Sequence, residues 1–149
     1  MKKKQLTAIL AIMFIGMFFL AFTKRSEDNL GMVAKNQPPG DKGIGPIKEL
    51  KLGPVNQKMA NDGKAIFTAK CMVCHTLDQK IIGPPLRIIT KTRSPEFIMN
   101  MILNPVNMEK DDPIAKDLHK KYIATPMIDQ KFTQDQARAL LEYLRTVTK

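Results

Sequence analysis

Apolar positions fall into three regimes along this chain. From Leu6 to Phe22 they run almost unbroken for 17 residues, directly behind Met1-Lys2-Lys3-Lys4-Gln5. From Thr23 to about Val55 they are scattered among polar residues and the breaks Gln37-Pro38-Pro39-Gly40, Gly43-Ile44-Gly45-Pro46 and Gly53-Pro54, with no period long enough for a helix. From about Asn56 onward they recur at helical spacing, and no stretch alternates with a β period.

The third regime carries its own start and stop signals. A first helix is expected from roughly Asn56 to Lys70. Ser94-Pro95-Glu96 offers an N-cap followed by proline at the first helical position, and Phe97, Ile98, Met101 and Ile102 form an apolar stripe. Asn104-Pro105 is read as the end of that helix. Asp112-Pro113 repeats the start signal for a short helix ending near Tyr122. Thr133 with Gln136 makes a capping box for a final helix, with Ala137, Leu140, Leu141 and Leu144 on one face. The fold class expected is all-α, with about four helices joined by long loops.

Lysines followed by an apolar run are the pattern of an export signal. Seventeen residues is the lower limit for a helix crossing a bilayer. Ala21-Phe22-Thr23 makes a poor cleavage site, so an uncleaved anchor is preferred to a cleaved signal peptide. The three lysines keep the N-terminus cytoplasmic, and Lys24 and Arg25 weaken that asymmetry without reversing it. The expected layout is a membrane segment at 1–23, a flexible Gly/Pro-rich linker at 24–55 and a folded domain at 56–149. Within the linker, 44–55 carries enough apolar residues (Ile44, Ile47, Leu50, Leu52, Val55) to lie extended against the domain.

Composition adjusts this picture twice. The net charge of +10 includes five basic residues and no acids in positions 1–25, leaving 19 basic and 14 acidic residues beyond, or +5. That is too modest to argue for nucleic acid, and export makes such a partner implausible. Four of the seven phenylalanines lie between 14 and 22, and the chain has no tryptophan. A domain of about 90 residues is left with five aromatic rings and a thin core, to which a buried apolar group would add volume.

The motif Cys71-Met72-Val73-Cys74-His75 supplies such a group. It contains both cysteines of the chain, and CxxCH is the spacing of covalent c-type haem attachment. Each thiol can form a thioether to one vinyl group of a porphyrin, and His75 is then placed to ligate the iron. A redox dithiol would want a βαβ context, and a zinc site about four ligands; neither is offered here. Two haem propionates would bring the exported charge to roughly +3, a value suited to steering toward an acidic redox partner.

His75 provides one axial bond, and the other face decides between electron transfer and ligand binding. Met99, Met101, Met108, Met127 and His119 are the candidates after the motif. Met99 and Met101 fall within the helix opened by Ser94 and read as packing residues. Met108 is expected in a loop, and His119, between Leu118 and Lys120-Lys121, reads as a surface residue. Met127 follows Thr125-Pro126 in a loop between helices, far enough along the chain to reach the other side of the ring.

The order of these pieces resembles the class I cytochrome c family over roughly residues 58–147. Gly63-Lys64-Ala65-Ile66-Phe67 before Cys71 is similar to the family's N-terminal helix, where the glycine admits the C-terminal helix. Gly83-Pro84-Pro85-Leu86 is similar to its Gly-Pro-x-Leu loop. The resemblance implies that the Pro84 carbonyl orients His75, that Leu86 packs on the ring and that Met127 is the sixth ligand. It also implies Thr125 as a donor to a propionate, and Leu140 and Tyr143 as contacts of the final helix with the first. The stretch from Asn104 to Tyr122, with its extra helix, departs from the shortest family members.

The function expected is that of an electron carrier rather than an enzyme. One covalently bound haem c would pass an electron between a quinol-oxidising complex and a terminal oxidase or reductase of a respiratory chain. The domain would stand on the periplasmic, extracytoplasmic side of the cytoplasmic membrane, single-pass anchored, as a monomer or a subunit of a redox complex. The alternatives are a haem enzyme or gas-binding sensor with a displaceable sixth ligand, and a fixed haem subunit of a larger oxidoreductase. Acidic residues are expected at helix starts and in linkers, where capping or solvation accounts for them.

Overall fold

A computed structural model describes residues 41–122 and 125–148. These belong to the compact unit Gln37–Lys149. The expected membrane segment 1–23 and the first part of the linker lie outside the described residues. Among the described residues no helix is long and apolar enough to cross a membrane, and none is a strand.

Among the described residues six α-helices follow one another: α1 Gln57–Ile66, α2 Ile89–Thr92, α3 Pro95–Leu103, α4 Pro105–Asp111, α5 Pro113–Lys121 and α6 Gln134–Val147. A π-helical turn, Phe67–Cys71, extends α1 into the cysteine motif. The starts obey local chemistry. Asn56 accepts from Met59 N–H at 3.0 Å, Ser94 Oγ from Phe97 N–H at 3.0 Å and Asp112 Oδ1 from Ala115 N–H at 2.9 Å. Thr133 and Gln136 complete a reciprocal capping box at 3.2 and 2.9 Å.

Two of these helices were not expected, α2 and α4. Asn104 does end α3, but Pro105 immediately opens α4, because proline at the first helical position forfeits no hydrogen bond. Met108 is therefore not in a loop. It is fully buried on α4, packing with Phe97 and Ala115.

The main core forms where α1 crosses α6. Gly63 sits at the crossing, and a Cβ there would collide with the Ala139 carbonyl, so only glycine lets the backbones approach this closely. Phe67 and Tyr143 pack beside it with ring centroids 5.2 Å apart, within a cluster that includes Ile98, Leu140, Leu141 and Leu144. Glu142 is an exception to the expectation for acids, since its side chain is fully buried. Its carboxylate accepts from Asn56 N–H at 3.1 Å, Arg138 at 2.6 Å and Arg145 at 2.8 Å. Burial raises its pKa, but the bonds from Arg138 and Asn56 and the charge of Arg145 outweigh this and hold it below the ordinary value.

The expected linker 24–55 is not free over its last part. From Asp41 onward the chain is a strap laid on α3 and α4. Asn100, with no exposed surface, donates to the carbonyls of Lys42 (2.9 Å) and Ile47 (2.8 Å) and accepts from Ile47 N–H (2.9 Å). Asp41 is buried against Ser94, whose backbone N–H donates to its carboxylate at 3.1 Å. Ile44 N–H points at Met108 Sδ at 2.9 Å, and Leu50 N–H donates to Glu96 at 2.9 Å. Gly43 adopts φ +70°, a left-handed turn pressed on the Met108 side chain. Docking is thus carried by polar side chains on α3 as much as by Ile47 in the core.

Candidate functional site

The π-turn carries Cys71 out of α1, and a tight loop closes behind it: Cys74 N–H and His75 N–H both donate to Cys71 O, at 3.1 and 2.9 Å. The following segment folds back along the motif through Gly83 N–H to Cys74 O (2.7 Å) and Leu86 N–H to Thr76 O (3.0 Å). This brings Pro84 beside His75, with Nδ1 3.0 Å from the Pro84 carbonyl. A carbonyl can only accept, so Nδ1 carries the hydrogen and Nε2 keeps a free lone pair. Burial lowers the His75 pKa, partly countered by the Pro84 bond, which keeps the ring in the neutral form a metal requires. Gly83 lies against the imidazole; a Cβ there would stand 2.7 Å from Nδ1.

Burial, with a smaller push from Cys74, raises the Cys71 thiol to about 11. Redox dithiols work through a depressed thiol, so this environment disfavours that chemistry.

Cys71, Cys74, His75, Pro84, Leu86, Thr125 and Met127, the seven residues singled out from sequence, all line one cavity. The cleft is partly open, with about 1300 Å³ of empty space when the solvent at its mouth is included. Apolar side chains from five elements complete its wall, among them Phe67, Ile98, Leu118, Phe132, Leu140 and Leu144. A large apolar cleft with paired thiols and a neutral imidazole on its wall suits a porphyrin, and it accounts for the thin core.

Residues not expected here also line the cavity. His119 is not simply a surface residue: it borders the cleft, and its Nδ1 lies 3.2 Å from Glu109 Oε2. Glu109 Oε1 accepts from Met127 N–H at 2.8 Å. Glu109 could not be found by pattern, because α4 itself was not expected. Met99 is buried in the core, as its helical position implied, whereas Met101 reaches the cavity wall. At the rim, Lys80 and Lys121 lie over the Tyr122 ring at 5.0 and 5.7 Å. Among the described residues no cluster of three or more His, Cys, Asp or Glu side chains offers a second metal site.

Comparison with known proteins agrees with this site. The cytochrome c family pattern matches residues 60–148, and the chain belongs to that family. Among solved structures, a cytochrome c from Rhodothermus marinus is 44% identical, with a TM-score of 0.67 over 69% of this chain and 89% of that one. An engineered form of that protein, Rma TDE, is 43% identical with a TM-score of 0.66, covering 69% and 90% of the two chains. Rma TDE bound to a carbene intermediate is 41% identical with a TM-score of 0.64, covering 69% and 89%. No curated protein matches the chain. The protein is thus a c-type cytochrome whose cofactor is covalently bound haem c, and its cysteine pair fits the CxxCH attachment motif. Its family is that of haem-based electron carriers.

Proposed function

We propose that this cytochrome is a membrane-tethered, single-haem carrier working outside the cytoplasmic membrane, in which His75 and Met127 would hold the haem iron. Bound through Cys71 and Cys74, haem c supplies an iron that takes up and releases one electron. The observation that carries the reading is the shared cavity wall: His75, oriented by Pro84, and Met127 open onto one apolar space. Pro84 fixes the imidazole tautomer and strengthens it as a ligand. A methionine thioether favours reduced iron and leaves no position for substrate. Leu86 and the apolar wall would shield the haem from water, and Thr125 would donate to a propionate.

The lysine-flanked rim, with Lys70, Lys80 and Lys121, suits docking to an acidic partner, as between a quinol-oxidising complex and an oxidase or reductase. An N-terminal anchor at Leu6–Phe22 would keep the domain close to such complexes and raise its effective concentration there. The visible spectrum tests the ligation. The oxidised holoprotein should show a weak red-end iron–thioether band that disappears in Met127→Ala. Rapid carbon monoxide binding by the untreated reduced protein would overturn the reading in favour of an open iron.

A further inference from the structure

Glu109 ties together three consecutive segments: α4, α5 and the loop that carries Met127. Its side chain is 14% exposed on α4; one oxygen accepts from Met127 N–H at 2.8 Å, and the other meets His119 Nδ1 on α5 at 3.2 Å. Thr125, Pro126, Met127 and Ile128 all line the cavity, so the position of this loop sets where the Met127 side chain stands on the cavity wall. Beyond it, Asp129 accepts from Lys131 N–H at 2.9 Å and fixes Lys131 at φ +57°. That second pin is local, whereas the Glu109 contact reaches 18 residues across to another helix.

We propose that Glu109 is a positioning residue for Met127, fixing the backbone from which the thioether reaches the iron, with His119 holding the carboxylate in its orientation. This rests on the reading of Met127 as a ligand. A methionine side chain has three freely turning bonds, so its sulfur is held at one point only if its backbone is held first. A carboxylate accepting an N–H bond is stronger than a neutral acceptor, which suits it to holding the backbone of a loop.

The test compares holoproteins carrying Glu109→Ala, Glu109→Gln and Met127→Ala, using amide hydrogen exchange at Met127 and the red-end band. Glu109→Ala should speed exchange at Met127 N–H about tenfold or more, leave the α6 amides unchanged and weaken the band. Glu109→Gln keeps an acceptor and should restore most of both signals. Should Glu109→Ala fail to fold, Glu109→Asp, which shortens the reach, should show a partial loss of both. Wild-type exchange and band in Glu109→Ala, with the band lost in Met127→Ala, would overturn the positioning role while leaving the ligation intact. A Glu109→Gln protein as defective as Glu109→Ala would also overturn it. A band that survives Met127→Ala would instead remove the ligation reading and this inference with it.

Discussion

Replacing Asn100 with alanine should release the strap at Asp41–Leu52 without touching the haem site. The side chain makes three bonds of 2.8–2.9 Å to strap backbone and is fully buried. Each such bond is worth about 0.5–1.5 kcal/mol net, which gives roughly 3 kcal/mol for the set. The unpaired Ile47 N–H and carbonyl would then be buried without partners, a further penalty the chain can avoid only by letting the strap detach. Detachment caps the loss, because it forfeits only the strap's own docking, including the ~1.5–3 kcal/mol from burying Ile47. The expected outcome is therefore a loss of about 3 kcal/mol in urea unfolding of the holoprotein. Exchange at Ile47 N–H should approach that of an open chain. Neither Asn100 nor Ile47 lines the cavity, so the visible spectrum should stay as in the wild type. A loss below about 0.5 kcal/mol with Ile47 still protected would refute the argument that Asn100 holds the strap.

Gly63→Ala should cost about 1–3 kcal/mol by thermal unfolding, since the added methyl meets the Ala139 carbonyl and α1 must move off α6. Glu142→Gln should cost about 3 kcal/mol at neutral pH by leaving Arg138 and Arg145 without their carboxylate. The folded Glu142 carboxyl is held below its ordinary value of 4.5. Its contribution is therefore present above about pH 4.5 and is lost as pH falls through the lower folded value. Urea unfolding across that range should show the wild type losing its advantage over Glu142→Gln toward the acid end.

Much of this fold was legible because helix starts are set by one or two residues acting locally. Ser94, Asp112 and Thr133 cap the helices they were expected to cap. The cysteine motif and Gly83-Pro84 are close enough in sequence for their geometry to follow from spacing. The helix α4 was hidden because Asn104-Pro105 reads equally as a stop and a start. The Glu109–Met127 bond was hidden with it, since it depends on how two helices pack. Buried Asn100 and Glu142 escaped for a different reason. A polar residue on an amphipathic helix looks solvated until its partners are known, and the strap partner of Asn100 at Ile47 and the backbone partner of Glu142 at Asn56 lie 53 and 86 residues away. The strap shows both sides: Ile47 and Leu50 signalled contact by their apolarity, whereas Asp41 and Lys42 gave no sign of docking.

Met127 as sixth ligand is the centre of the account, and proton NMR of the reduced holoprotein tests it most directly. The chain has 10 methionines, and a methyl held against the porphyrin face is displaced far upfield by the ring current. The account predicts one such methyl, absent in Met127→Ala and present in Met101→Ala. A spectrum with no displaced methyl, or one whose displaced methyl survives Met127→Ala, would contradict it.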